Sequence, residues 1–428
     1  MSEDYRMFRK KVARVLACGS LAAGLSFAGP VLAEEVAEGT VLNAASIDSL
    51  LDKTLQGQPI KNLLVGEQQK MIRQFGVTMV LTHTKPVNVT SGLLELTEKH
   101  KGEAKLDAGK HLVGYATGVP FPDIEVADPD AGIKLVYNAL RVGWLGDALY
   151  LNPLYFLIID GKKGLEKEQG WVYRRFLMSG RLTEPPVLDD TIAKYEALIN
   201  VYPNDTRGLG LLTVNYTDGR LPDVYAYVKS LRRVRRLSSG AWADPVQGTD
   251  LLFDDTFGLN LDPTWYESWK IVAKRPALVV DHSILPPMDE KASGHAKYPF
   301  IKLDEPPFWN MQPDNYETQL VFELEGRPKS NHLVSLRRSF IGATLGAPKF
   351  YWQDMYDRKG EHWRSNQLGY KDFKWEDGRS GPSVANVLLV DVQRFHATSF
   401  GSSKGFHFNP AGAKQADYTP EALPRMLQ

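Results

Sequence analysis

Consecutive strand patterns joined by short turns constrain the fold of this chain most strongly. Residues 154–160 and 171–178 are largely apolar and flank a Gly- and Lys-rich turn, and residues 209–216 and 224–228 flank Thr217-Asp218-Gly219-Arg220. Further strand patterns follow at 265–272, 277–281, 349–356, 361–365 and 387–395. Strands that follow one another without intervening helices indicate an antiparallel sheet that curls or closes. The predicted fold class is therefore α+β, dominated by one curved antiparallel sheet.

The region before residue 149 shows helical spacing instead. Residues 43–51 place cap-type residues before an apolar repeat, apolar residues recur at helical spacing between 60 and 75, and a further helix is expected from Asp128-Pro129. The sequence therefore predicts four parts, which are a signal peptide (1–33), an N-terminal helical region packing on the sheet (34–148), the curved sheet (149–408) and a C-terminal tail (409–428). The proline-containing tail is the segment expected to be disordered.

The first 33 residues have the pattern of an export signal. Basic residues between Arg6 and Arg14 precede an apolar run at 15–28, and Val31-Leu32-Ala33 forms a small-residue cleavage site. Cleavage after Ala33 would release a protein into the periplasm of a Gram-negative bacterium. The alternatives are a retained N-terminal anchor and lipid attachment at Cys18, the only cysteine of the chain. Without Cys18 the mature protein forms no disulfide, so its stability must come from a packed core.

A dense arginine cluster at residues 232–236 is followed by Asp250, Asp254 and Asp255. The chain has 51 Lys+Arg and 51 Asp+Glu, and a neutral chain attracts polyanions poorly, so nucleic acid is not expected as a partner. Guanidinium groups bind carboxylates through paired hydrogen bonds. We therefore expect either a structural network of Arg235 and Arg236 with these three aspartates, or a solvated strand face.

Recognisable catalytic motifs are weak in this sequence. Residues 401–405 match the string G-x-S-x-G, but the strand-turn-helix context and the downstream Asp and His that the motif needs are missing from the pattern. The nine histidines form no closely spaced pair, and no phosphate-cradling loop is present. We therefore predict no catalytic residue, no metal site and no cofactor.

Two blocks of sequence resemble the LolA-like family of periplasmic proteins, which includes outer-membrane lipoprotein-sorting proteins and relatives of unknown function associated with RND (MMPL) exporters. The first block contains Tyr227-Val228-Lys229, Arg233-Val234-Arg235-Arg236 and Gly248-Thr249-Asp250, followed by Phe253 and Asp254-Asp255. The second is the hairpin at 351–364, in which His362 replaces the usual leucine. Lys229 stands where relatives carry proline. Residues 120–134 are similar to the longer, uncharacterised branch.

The resemblance implies an incomplete half-barrel covered by helices, with a hollow that accepts acyl chains. Large side chains of the β segments would line the hollow, namely Tyr225, Tyr227, Phe253, Phe350 and Trp352. The alternative is that these residues fill a solid core. The expected function is a non-enzymatic carrier or chaperone for a lipid or lipoprotein acyl chain, with an inner-membrane exporter and an outer-membrane component as partners. A periplasmic enzyme acting on an apolar substrate and a structural subunit of an envelope complex are the alternatives.

Overall fold

The structure is a computed structural model that describes residues 34–142, 146–228, 233–237, 244–329 and 332–426. The predicted export signal, Cys18, Lys229 and Arg232 of the arginine cluster lie outside these residues. The segment Glu35–Gln428 forms one compact unit. Within the described residues, no helix is both long and apolar enough to span a membrane.

The N-terminal part alternates short helices with short strands. Its elements are β1 (Thr40–Leu42), α1 (Ile47–Leu50), β2 (Thr54–Leu55), β3 (Gln58–Pro59), α2 (Ile60–Leu63), α3 (Gln68–Phe75), β4 (Met79–Leu81), α4 (Leu93–Lys99), β5 (Lys105–Leu106), β6 (Leu112–Val113) and α5 (Ala131–Arg141). Helix α3 ends where Gly76 adopts a left-handed conformation (φ 78°), which glycine tolerates without steric cost. The predicted helical region is therefore a mixture of helices and strands.

Long strands dominate the chain after residue 148. They are β7 (Ala148–Asp160), β8 (Gly164–Leu177), β9 (Ile192–Tyr202), β10 (Leu209–Tyr216), β11 (Asp223–Val228), β12 (Arg233–Leu237), β13 (Tyr266–Val279), β14 (Asn315–Pro328), β15 (Leu336–Gly342), β16 (Phe350–Tyr356), β17 (His362–Lys374), β18 (Ser380–Asp391), β19 (His396–Gly401) and β20 (Phe406–Phe408), followed by α6 (Leu423–Met426). The two patterns predicted at 265–272 and 277–281 belong to one strand, β13. The sequence patterns missed β9, β14, β15, β19 and β20, and the strand predicted at 387–395 belongs to β18, which ends at Asp391.

These strands form one large curved, open sheet. Its order is β1-β4-β14-β15-β16-β17-β18-β19-β7-β8-β9-β10-β11-β12, with β13 paired to β14 and β20 paired to β7. Strand β4 pairs with β14 in parallel, and the other described pairs are antiparallel. The predicted antiparallel sheet is confirmed. Because β1 and β4 join it, the sheet extends beyond the predicted 149–408 boundary.

Turn chemistry accounts for the predicted hairpin at 349–365. Strands β16 and β17 pair in antiparallel register, and the Asp357 carboxylate accepts hydrogen bonds from the backbone N–H of Lys359 and Glu361, both at 2.9 Å. Gly360 has φ 79°, the left-handed conformation that such a turn requires. The sequence therefore fixes this connection locally.

The C-terminal tail is ordered over the residues described, contrary to the sequence prediction. Tyr418 and Leu423 are buried in a small hydrophobic cluster that also contains Phe176, Met178 and Leu212 from the β8–β10 region. This cluster covers the face of the sheet opposite to the one described below. The apolar side chains of the tail pack on a face of the sheet, and the free energy of burying them favours an ordered tail despite its prolines.

Candidate functional site

An apolar cavity of about 310 Å³ lies between the sheet and residues 244–261, which we call the cover segment. Strands β7 to β12 form the sheet side of the cavity, and β18 and β19 contribute Val387 and Phe400. The cover segment contributes apolar side chains at Val246, Leu251 and Phe253, among others. The volume falls at the lower end of the range of small-molecule sites, so the cavity is large enough for an apolar ligand.

Strand periodicity places alternate side chains in the cavity. Leu211 and Thr213 of β10 line it, whereas Leu212 between them packs in the cluster on the other face of the sheet. On β11, Val224 lines the cavity, and the neighbouring Tyr225 points to the other face. The period of two in a strand thus decides which residues a ligand would meet.

A tight loop shapes the cover segment. The backbone N–H of Val246 donates to the Leu251 carbonyl at 2.7 Å, and the turn between them contains Gln247 and Gly248 at positive φ. Short 3-10 turns follow within Phe253–Gly258, and they are separated by a kink at Thr256 and Phe257. Gly258 has φ 95°, and a Cβ atom added there would lie 2.6 Å from Cβ of Phe350. Only glycine lets the cover segment pass this close to β16.

Buried ion pairs hold the cover segment against β15 and β17. Nη2 of Arg337 lies 2.9 Å from Oδ2 of Asp254 and 2.8 Å from Oδ1 of Asp255. Nη1 of Arg364 lies 2.6 Å from Oδ2 of Asp255. All four side chains are buried, with at most 1 % of each residue exposed. We call these four residues the Arg–Asp clamp.

Further hydrogen bonds complete the clamp. The Tyr266 hydroxyl donates to Oδ2 of Asp254 at 2.6 Å and accepts from Nε of Arg337 at 2.9 Å. Burial alone would raise the pKa of Asp255, but the charges of Arg364 and Arg337 outweigh it and hold the pKa below its usual value. Asp255 therefore stays ionised at neutral pH, and the clamp fixes one wall of the cavity.

Asp250 forms a second attachment of the cover segment, to β19. Its carboxylate lies 2.7 Å from Nδ1 of His396 and accepts a 2.8 Å hydrogen bond from the Thr398 hydroxyl. The hydrogen bond to Asp250 raises the pKa of His396 above its usual value. Arg394 approaches the same carboxylate at 3.4 Å. Three strands of the sheet, β15, β17 and β19, thus anchor the cover segment.

The structure corrects the partners predicted for the arginine cluster. Arg235 and Arg236 lie on β12, at the end of the strand order, and both are exposed. Arg236 pairs with Asp223 of the neighbouring strand. The predicted network with Asp250, Asp254 and Asp255 is wrong. Asp250 pairs with His396, and the other two carboxylates enter the core and meet Arg337 and Arg364 there. Neither of these arginines stands near the aspartates in sequence, so no local signal identifies them.

The five aromatic residues predicted to line the hollow separate into three groups. Phe253 lines the cavity. Phe350 and Trp352 are 3 % and 2 % exposed and belong to the main core outside the cavity lining. Tyr225 and Tyr227 pack against the cluster on the opposite face of the sheet, so they do not line the cavity. The prediction was wrong by one residue, which in a strand is the difference between the two faces. Val224, between polar and aromatic neighbours, was missed for the same reason.

One end of the cavity is polar. Glu196 of β9 accepts hydrogen bonds from the Tyr173 hydroxyl at 2.6 Å and from Nδ2 of Asn215 at 2.8 Å, and its carboxylate lies 3.1 Å from Nζ of Lys194. Burial opposes ionisation of Glu196, but Lys194 and Tyr173 outweigh it and lower its pKa. Lys194 also donates to Asn260 of the cover segment. The cavity therefore combines an apolar body with an ionised polar end.

One potential metal-ligand group occurs among the described residues. Asp281, His282 and Glu317 bring one ligand atom each within 4.8 Å of one another. However, Asp281 is paired with the buried ammonium of Lys349, and Nδ1 of His282 lies 2.6 Å from Glu317. The lysine ammonium already supplies a positive charge beside Asp281. A metal cation bound there would have to displace the ammonium or overcome repulsion from it. The group is better explained as a buried ion-pair network.

Comparison with known proteins places the chain in a family. The model of DUF1329, a protein family of unknown function, matches residues 53–424. No curated protein matches the chain. A solved domain provisionally named an outer membrane lipoprotein-sorting protein, from Vibrio parahaemolyticus, is 17 % identical, covers 70 % of this chain and 100 % of its own, and has a TM-score of 0.46.

Two further solved structures are similar. A DUF1329 protein from Desulfovibrio piger is 17 % identical, covers 69 % of this chain and 100 % of its own, and has a TM-score of 0.45. The LolA superfamily protein NE2245 from Nitrosomonas europaea is 9 % identical, covers 65 % of this chain and 94 % of its own, and has a TM-score of 0.37. At these scores the structures carry no functional argument. The recognition made from the two sequence blocks is confirmed at the level of the family.

Proposed function

The chain belongs to the DUF1329 family, and we propose that it is a periplasmic carrier or chaperone that binds a hydrophobic molecule in the apolar cavity. The observation that supports the proposal is the cavity itself, about 310 Å³ in volume, lined by side chains of strands β7 to β12, β18 and β19 and of the cover segment. Such a molecule cannot cross an aqueous compartment unless its apolar surface is covered. Each methylene that the cavity buries contributes about 0.8 kcal/mol.

The attachments of the cover segment also support ligand binding, because they oppose collapse of the cavity. An unsupported apolar cavity loses van der Waals contacts along its lining and tends to close. Here the Arg–Asp clamp fixes the cover segment to β15 and β17, and the Asp250–His396 pair fixes it to β19. A wall held in place loses little conformational entropy when a ligand enters, which favours affinity. We also propose that the protein carries its ligand between an inner-membrane exporter and the outer membrane.

Filling the cavity tests the proposal. Val224→Trp adds a large side chain to the lining, whereas Leu320→Trp adds the same side chain at an exposed position of β14 (46 % exposed). Binding of the neutral probe N-phenyl-1-naphthylamine would be measured by fluorescence titration, with thermal melts to check folding. We expect Val224→Trp to weaken binding at least about tenfold, the loss of roughly two buried methylenes, and Leu320→Trp to leave it unchanged.

The outcome that would contradict the proposal is a folded Val224→Trp variant with the affinity of the wild type. Release of a chemically altered lipid from the wild-type protein would instead favour an enzyme in the same cavity. A protein that binds no apolar probe at any concentration would favour a structural subunit.

A further inference from the structure

A second cavity, about 90 Å³ in volume, adjoins the apolar cavity at its polar end. The residues that line both are Asn215, Pro222, Asn260 and Leu261. Among the described residues, four cationic side chains line the smaller cavity, and they are Arg141, Arg175, Lys194 and Arg220. Asp262 is the carboxylate among its lining residues. We call this space the cationic compartment.

Two of the four cations are already neutralised. Nζ of Lys194 lies 3.1 Å from Oε2 of Glu196, and Nε of Arg220 lies 3.1 Å from Oδ1 of Asp218. The Asp262 carboxylate caps a short helix, since it accepts hydrogen bonds from the backbone N–H and the hydroxyl of Thr264 at 2.9 and 2.6 Å. Lys194 and Arg220 are thus each paired with a carboxylate, and the Asp262 carboxylate is bound by Thr264. None of these contacts involves the other two cations of the compartment.

Arg175 and Arg141 lack a carboxylate in contact among the described residues. Arg175 is 9 % exposed, and its Nη2 donates to the Gly146 carbonyl at 2.5 Å. Its Nε is buried and has no hydrogen-bond partner among the described residues. Glu196 lies opposite Arg175 in the β8–β9 register, but its oxygens bind Lys194, Tyr173 and Asn215.

Arg141 lies in the last turn of α5 and is partly exposed. The charges of Glu196 and Asp147 both act on Arg175 over a distance. Asp147 itself accepts hydrogen bonds from the backbone N–H groups of Leu182 and Thr183 and lies 4.0 Å from Arg181. A guanidinium cannot lose its proton, so a buried one with an unused N–H is costly unless an anion binds it. The compartment therefore has two positive charges available to a ligand.

We propose that the ligand is an amphiphile with a small anionic head group, a carboxylate or a phosphate monoester, bound by Arg141 and Arg175. The inference rests on the proposed function, because the apolar tail would occupy the apolar cavity while the head group enters the cationic compartment. Guanidinium groups present paired N–H donors that match both head groups. The small volume of the compartment excludes bulky head groups. Asn215 and Asn260, which line both spaces, mark where tail and head group meet.

The test compares four amphiphiles with the same dodecyl chain, each displacing N-phenyl-1-naphthylamine from the full chain at neutral pH. Laurate and dodecyl phosphate carry the anionic head groups, dodecanol is neutral, and dodecylamine is cationic. We expect the better of the two anions to bind at least about tenfold more tightly than dodecanol, as charge-assisted hydrogen bonds imply, and dodecylamine to bind most weakly. Comparison of laurate with dodecyl phosphate identifies the head group.

Variants at the compartment complete the test. Arg141→Gln, at a partly exposed position that tolerates change, should reduce the preference for the anion over dodecanol and leave dodecanol affinity unchanged. Arg175→Gln should do the same if it folds, and Arg235→Gln on exposed β12 is the control with an equal change of charge. Equal affinities for anion and alcohol, or a preference for the amine, would overturn the inference while leaving the carrier proposal intact. Failure of all four to displace the probe would instead refute the carrier proposal.

Discussion

The same sheet is filled at one end and hollow at the other, although both ends are built from similar strands. In the filled half, β14 to β18, Phe340, Trp352 and Tyr370 are at most 2 % exposed. There the N-terminal part lies directly on the sheet, because a Cβ atom added to Gly66 would lie 3.0 Å from the Phe340 ring and the Glu67 N–H donates to the Asp354 carboxylate at 2.8 Å. In the hollow half, β7 to β12, the cover segment is held at a distance. What covers a strand, rather than the strand's own pattern, therefore decides whether it forms a core or a cavity.

The largest effect is expected where the two halves meet, at the Arg–Asp clamp. Arg337→Ala leaves Asp254 and Asp255 buried with one cation fewer, so we expect a loss of about 3–5 kcal/mol in the free energy of unfolding. Urea denaturation measures it. The control is Arg235→Ala on exposed β12, which should change stability by no more than about 0.5 kcal/mol. Equal stabilities of the two variants would show that the clamp does not hold the cover segment.

A pH effect of slightly smaller size should distinguish two buried aspartates. Burial raises the pKa of Asp354 in the filled half to about 7, so its neutral form is favoured in the folded protein. Its stabilising contribution is complete below the unfolded pKa near 4 and is lost as the pH rises through about 7, up to about 4 kcal/mol. Asp255, whose pKa is lowered, contributes stability that is lost instead as the pH falls through its folded pKa.

Asp354→Asn isolates the first of these effects. The stability of the wild type relative to this variant should decline between pH 4 and pH 8 in urea denaturation series. The matched variant Asp255→Asn should show the opposite sign, with its difference from the wild type shrinking only at acidic pH. A constant difference between the wild type and Asp354→Asn over this range would mean that Asp354 titrates normally.

The smallest expected effect is the change in stability when one phenylalanine ring in each half is replaced by leucine. Phe340→Leu removes volume from a fully buried position, and we expect a loss of about 1 kcal/mol. Phe253→Leu faces the cavity, so it should cost no more than about 0.5 kcal/mol while changing the affinity for N-phenyl-1-naphthylamine. Thermal melts and probe titrations measure both. If Phe253→Leu destabilised the protein more than Phe340→Leu, the cavity would be a tightly packed core.

Local signals in the sequence predict the hairpins of this fold well. The β16–β17 turn and the β10–β11 pair follow from turn residues and strand patterns that lie next to each other. Strand β14 was missed because its pattern mixes charged and apolar residues, as in Glu323, Leu324 and Glu325, which suit a strand with one exposed face. Long-range pairing is needed to recognise it.

The site was only partly predictable, for a related reason. Asp254 and Asp255 stand out in sequence, but their partners Arg337 and Arg364 lie on strands far along the chain. On β11, the choice between Val224 and Tyr225 as cavity residues depends on which face is covered, and no local pattern reveals that. Aromatic size favoured Tyr225, whereas strand register selects Val224.

Native mass spectrometry of the protein purified from a periplasmic extract tests the central claim most directly. The wild type should retain a small apolar or amphiphilic molecule that is released on denaturation and identified in the extract. Val224→Trp should lose that molecule, and Leu320→Trp should keep it. A wild-type protein that has the mass of the polypeptide alone, and that takes up neither dodecanol nor laurate when they are added, would contradict the account.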